Sequence, residues 1–133
     1  MMSITADLNI LVSNSTVRAH LMIRNGSPEA VRLERSKVFD SGEISNSLFE
    51  ITSGETPIAY IGKMAKLRKP GPEDFINLNA GQQYETTVDI SNAYAFLPGS
   101  HTYAAVYKAF HSYPDRDGYW TLESNSATFT LRK

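Results

Sequence analysis

The residues of this chain whose types could do chemistry are three histidines, two short acidic runs and one basic loop. His20, His101 and His111 are its imidazoles. None stands at a His-x₃-His spacing and no HExxH run occurs, which excludes a helix-borne zinc site. His101 and His111 share strand parity but are too far apart along one strand to share a metal, so all three read as surface or loop histidines. Asp115-Arg116-Asp117-Gly118 has the start of a calcium loop but lacks the third oxygen ligand and the later bidentate glutamate; it reads as a hairpin turn. Glu73 and Asp74 are adjacent, which in a loop points their carboxylates apart and argues against paired acid–base work. No nucleophile elbow, phosphate loop or dinucleotide fingerprint appears. The expectation is a non-enzyme with no catalytic residues, no cofactor and no metal.

The basic loop is the strong local charge. Lys63, Lys66, Arg68 and Lys69 crowd ahead of Pro70-Gly71-Pro72, and Glu73-Asp74 then reverses the sign. The formal net charge is −1, so bulk attraction to nucleic acid or to an anionic membrane is not expected, and any electrostatic role is local. The bland alternative is a solvated loop. Tyr60, Tyr84, Tyr94, Tyr103, Tyr107, Tyr113, Tyr119 and Trp120 fall mostly in strand-like runs, away from the basic residues. They read as packing residues rather than a stacking platform for bases.

The chain has no cysteine, which excludes disulfides, thiolate zinc sites and cysteine nucleophiles and fits a reducing compartment. Met1 to Asp7 has neither the basic nor the apolar region of a signal peptide, and no run approaches the ~18 apolar residues of a membrane helix. The expectation is a cytoplasmic chain unless a leader has been removed, with no membrane partner. Oligomeric state is not legible.

The elements that must position the loop are strands. Ile4, Ala6, Leu8 and Ile10 alternate with polar residues, and Val17, Ala19, Leu21 and Ile23 alternate with Arg18, His20, Met22 and Arg24. This is the period of half-buried strands, and the two are expected to pair across Ser13-Asn14-Ser15. Asn25-Gly26 reads as a turn tolerant of positive φ. Val31 to Phe39 reads as a charged edge strand, since Arg32, Glu34, Arg35 and Lys37 resist unwanted pairing. Further strand signals are Leu48 to Thr52, the apolar run Ile58 to Ile61, Phe75 to Leu78, Tyr84 to Ile90, His101 to Phe110, Tyr119 to Leu122 and Ala127 to Leu131. Ser91 to Tyr94 reads as one helical turn capped by Ser91. Tyr103, just past Pro98-Gly99, has the position of a tyrosine corner. The reading is one domain over residues 1–133: all-β, an antiparallel β-sandwich, immunoglobulin-like in the broad sense, of about eight or nine short strands.

The order Pro57-Ile58-x-Tyr60-Ile61-Gly62, then Lys66-x-Arg68-Lys69-Pro70-x-Pro72-Glu73-Asp74-Phe75-Ile76-x-Leu78-x-Ala80-Gly81, then Val88-Asp89-Ile90-Ser91 and Tyr94, resembles a known pattern. It is similar to the β-rich amino-terminal propeptide region of aspzincin metalloendopeptidases, the deuterolysin and peptidyl-lysine endopeptidase group. The resemblance covers residues 48–107. The family's catalytic domain, with its HExxH zinc motif, has no counterpart, so protease activity is not carried over. The resemblance implies a propeptide-like inhibitor or chaperone that docks on a metalloendopeptidase, with Tyr60, Lys63, Lys66, Arg68, Lys69 and Glu73 as partner-binding residues.

Two function classes stay open from the residues. One is this protease-directed binding domain. The other is an immunoglobulin-like interaction module with an unrelated protein partner. A carbohydrate-binding or calcium-dependent sandwich is a third reading and requires a cleft lined by Trp120 and exposed tyrosines, or a metal cage near Asp115 and Asp117.

Overall fold

The computed structural model describes residues 3–66 and 68–133; Met1 and Met2, part of the signal-peptide reading, lie outside the described residues. Ten strands form: β1 (Ile4–Ser13), β2 (Thr16–Asn25), β3 (Val31–Glu34), β4 (Phe49–Ser53), β5 (Thr56–Pro57), β6 (Phe75–Leu78), β7 (Gln83–Asp89), β8 (Ser100–Ser112), β9 (Tyr119–Glu123) and β10 (Ala127–Arg132). Two short 3₁₀ turns, Arg35–Lys37 and Pro72–Asp74, are the helical elements among the described residues.

The fold is all-β, and every strand pair is antiparallel. One sheet has the order β1-β2-β7, a second runs β10-β8-β4-β5 with β9 also on β8, and β3 pairs β6. β1 and β2 form the expected hairpin, and Asn14 takes φ 57° at its tip. That conformation costs Asn less than most residues.

Alternation explains the core. Val17, Ala19, Leu21 and Ile23 of β2 are fully buried and belong to one apolar cluster with Phe49 and Ile51 of β4, Tyr103, Ala105 and Tyr107 of β8, and Phe129 and Leu131 of β10. β8 is the spine. Its first half pairs β10, its middle pairs β4, and its last five residues pair β9. Where β9 gives way to β10, Ser124 continues the ladder: its N–H donates to Tyr107 O and its Oγ accepts from Tyr107 N, both at 2.9 Å. The next residue, Asn125, accepts from Leu8 N and donates to Leu8 O, joining the edge of β1 to this seam.

Three buried tyrosines fasten neighbouring main chain, two of them across distant segments and one locally. Tyr94 Oη accepts from Phe49 N at 3.1 Å, Tyr103 Oη accepts from Leu97 N at 2.9 Å, and Tyr107 Oη donates to Lys37 O at 2.7 Å. The Tyr103 bond is the local backbone tether expected of a tyrosine corner.

Several local expectations are corrected. The Val31–Phe39 strand ends at Glu34, and the chain enters the core from a loop through Val38 and Phe39. Phe39 holds φ 54°, an unusual conformation for a bulky side chain. Its ring, stacked on Phe49 at 5.5 Å and edge-on to Tyr107 at 6.1 Å, supplies the packing that keeps it there. Asn25-Gly26 does not use positive φ. Instead Asn25 is buried, donates to Glu29 O and Leu78 O, and accepts from Ser27 N and Ser27 Oγ. Ser91 caps no helix; its Oγ accepts from Val17 N at 2.7 Å, so it closes the start of β2 instead.

His111 is the largest revision, because it is not a surface residue but fully buried. Its Nδ1 accepts from Glu34 N at 3.1 Å, which fixes the proton on Nε2, 3.2 Å from Tyr107 Oη, and its ring stacks on Trp120 at 4.9 Å. Glu34, also buried, accepts from Ser112 N at 2.7 Å. Burial and then the neighbouring Lys37 charge push the imidazole down to about 3.

Candidate docking loop and the grooves beside it

The basic segment leaves the core at Ile58, which is buried and donates to Ile51 O. An isolated antiparallel bridge, Tyr60 to Tyr94, holds the next step, with Ala95 N donating to Ala59 O and Ile61 N to Ala93 O. The Tyr60 ring lies edge-on to Tyr94 at 5.3 Å, and its hydroxyl donates to Lys63 O. Burial raises the Tyr60 phenol above its ordinary range. Gly62 makes room for that ring: a Cβ there would stand 2.9 Å from Tyr60 Cζ. Tyr60 therefore props the loop from beneath.

The tip carries a pair the sequence pattern hid. Ile61, expected at the end of a strand-like run, is 61% exposed, and Met64 is 78% exposed. Lys63 stands exposed between them. Ala65 N then donates to Ser45 O, returning the chain to the body.

The far foot is an ion-pair clamp. Arg68 meets Asp74 through two nitrogens, each 3.0 Å from a carboxylate oxygen, and Asp74 Oδ2 also accepts from Gly71 N at 2.8 Å. The Gly71 bond and then Arg68 hold the Asp74 carboxyl below its usual range. Pro72 sits at the start of the short turn that presents Asp74. Arg35 secures this foot to the body, donating through Nε to Glu73 O and through Nη1 to Asp40 Oδ2 at 2.7 Å. Asp40 also accepts from Tyr84 Oη at 2.9 Å. Arg35 and Tyr84 lower the Asp40 carboxyl, while burial and then the bond to Asp40 push the Tyr84 phenol up to about 12.

The six expected binding residues are thus divided. Lys63 is at the tip, Tyr60 supports it, and Lys66 and Arg68 line a groove of ≈ 400 Å³ with Arg35 and Lys37. Lys69 is exposed but lines neither groove described here, and Glu73 contributes its carbonyl to Arg35. A second groove of ≈ 530 Å³ runs past Pro28, Pro72, Tyr113, Arg116 and Trp120. Trp120 is 8% exposed with one face on His111, and the Arg116 guanidinium covers Tyr113 at 3.9 Å. A sugar ring needs a broad open aromatic face, which this groove does not offer.

Among the described residues, no group of three or more histidine, aspartate or glutamate side chains is placed to hold a metal. Among the same residues, no helix is long and apolar enough to cross a membrane. No protein-family model matches the chain, and no curated protein matches it.

Proposed function

We propose that this chain is a non-catalytic binding domain that docks on a metalloendopeptidase in the manner of a propeptide, with the Lys63–Glu73 loop as its contact. One observation carries the reading: Ile61, Lys63 and Met64 stand exposed at the start of the loop, while Ile61 N and Ala65 N on one side and the Glu73 carbonyl on the other are bonded to the body. A segment bonded to the body at its ends loses less conformational freedom on binding than a free one, which leaves more of its contact energy for affinity. Lys63 would enter an acidic specificity pocket, where a charge-assisted hydrogen bond contributes about 1.5–3 kcal/mol. Ile61 and Met64 would bury apolar surface on the pocket's rim. Pro70 and Pro72 stiffen the foot and resist cleavage.

The test is inhibition of a lysine-directed aspzincin endopeptidase by the purified domain, beside a variant with Lys63, Lys66, Arg68 and Lys69 changed to serine. Stoichiometric inhibition that the variant loses is the expected result. Equal inhibition by the variant removes the loop from the contact, and absence of any complex removes the protease as partner. The second reading, an immunoglobulin-like module for an unrelated protein, is favoured by Phe110 and Tyr119. These rings lie outside the loop, 47% and 63% exposed and edge-on at 5.2 Å. Retained inhibition after both are changed to serine is expected if the loop alone makes the contact.

A further inference from the structure

The groove behind the loop has a composition of its own. It lies between the Arg35–Lys37 turn, the residues Ala65, Lys66, Arg68 and Pro70, and the end of β8, with a volume of ≈ 400 Å³. Four cations line it. Arg35 and Arg68 are held by Asp40 and Asp74, whereas Lys37 and Lys66 pair with no carboxylate among the described residues. Of the two acids on its wall, Asp74 is committed to Arg68 and Gly71, and Glu34 to Ser112 N. Accepting from a neutral N–H leaves the Glu34 charge in place, so the four cations face three carboxylates, Glu34, Asp40 and Asp74, and the groove keeps an excess of one positive charge. Phe110, on the opposite face of β8 from the buried Ala109 and His111, adds an exposed apolar wall.

We infer that this groove binds an acidic peptide segment of the partner. Carboxylates meet Lys37 and Lys66, and an apolar side chain one or two positions away lies on Phe110. This rests on the reading of the adjoining loop as a docking element and names the partner's chemistry there. Charge complementarity selects the occupant. A polynucleotide needs cations spread along successive phosphates, but these four converge on one short groove. A simple anion would leave the phenyl wall unused. Convergent, partly screened charges of this kind set orientation and encounter rate as well as affinity.

The test uses a fluorescein-labelled peptide of alternating glutamate and leucine, the same peptide with lysine for glutamate, and an oligothymidylate, titrated by anisotropy. The acidic peptide is expected to bind, with affinity falling as salt is raised. Lys37→Glu with Lys66→Glu should weaken it about tenfold or more, in line with the loss of charge-assisted contacts, and Phe110→Ser should weaken it severalfold. If the double variant melts early, exposed Lys66→Glu alone carries the comparison. Lack of binding, equal binding of the lysine peptide, tighter binding of the oligothymidylate, or indifference to both charge reversals overturns the proposal. Protease inhibition without peptide binding removes the groove proposal and leaves the loop reading intact. Peptide binding without inhibition retains the acidic occupant and removes the protease.

Discussion

Acid should destabilise this domain through His111 before its carboxylates titrate. In the unfolded chain the imidazole has a pKa near its ordinary 6.5; in the folded protein it is pushed down to about 3. The unfolded state therefore binds a proton that the folded state refuses, and stability falls as pH drops below 6.5. At about 1.4 kcal/mol per pH unit the loss is about 2 kcal/mol at pH 5 and approaches ~5 kcal/mol near pH 3. Domains of this kind are stable by about 5–15 kcal/mol, so this one side chain consumes a large share. Protonation cannot be absorbed locally: Nδ1 would become a second donor facing Glu34 N–H, and Trp120 closes one face of the ring. Urea unfolding followed by circular dichroism from pH 7 to 4.5 measures the slope. His111→Asn, which keeps an acceptor near Glu34 N, is expected to be less stable at pH 7 but nearly flat across that range. The His111 ring resonances of the unaltered protein should show no titration above pH 4.5. A flat profile in the parent protein, the same slope in the variant, or a His111 midpoint near 6.5 refutes the reasoning.

Asn25→Ala removes four hydrogen bonds; Ser27 Oγ can still donate to Glu29 O, but Leu78 O and Ser27 N lose their Asn25 partner, and the change should cost ~2–4 kcal/mol, lowering Tm by about 10 °C in calorimetry. Gly62→Ala should displace the Tyr60 ring and release the loop tip, raising the exchange rate of loop amides about tenfold while leaving Tm within a few degrees. Asp74→Asn removes the charge that Arg68 and Gly71 hold, and limited proteolysis should then cut between Lys66 and Gly71 earlier than in the parent. Because the folded carboxyl of Asp74 is lowered, its contribution is present above the ordinary carboxylate range and disappears as pH falls through the depressed value. Exchange of the Gly71 amide should accelerate over that interval.

Most strands were legible because they bury one face, and a single residue of slip would turn that face to water. Val17 through Ile23 show it most plainly. β5, exposed at both residues, was not legible, and the run Ile58 to Ile61 forms a single bridge instead of a strand. What escaped were residues whose surroundings come from far along the chain. Glu34 and Arg35 read as surface charges, yet the partner of the Glu34 carboxylate is Ser112, from β8. His111 did carry a signal, since it shares parity with the buried Tyr103 and Tyr107, but an imidazole on that face has a place only once Glu34 and Trp120 arrive. Asn25 deceived because Asn-Gly suggests a tip, while its amide serves as a buried junction. In the loop, position along the chain identified Lys63, Lys66, Arg68 and Lys69 as a cluster. It could not show that Lys66 and Arg68 line a groove with Arg35 and Lys37, nor that Ile61 leaves the core.

The three tyrosine tethers bear on how such a protein changes over generations. Tyr94, Tyr103 and Tyr107 reach main-chain atoms of Phe49, Leu97 and Lys37, and these atoms persist under any side chain but, for the two N–H donors, proline's. Mutations at Leu97 or Lys37 can accumulate without untying either loop. Selection for a new partner can therefore rewrite the outer lettering of these segments while the phenols inside keep the chassis closed.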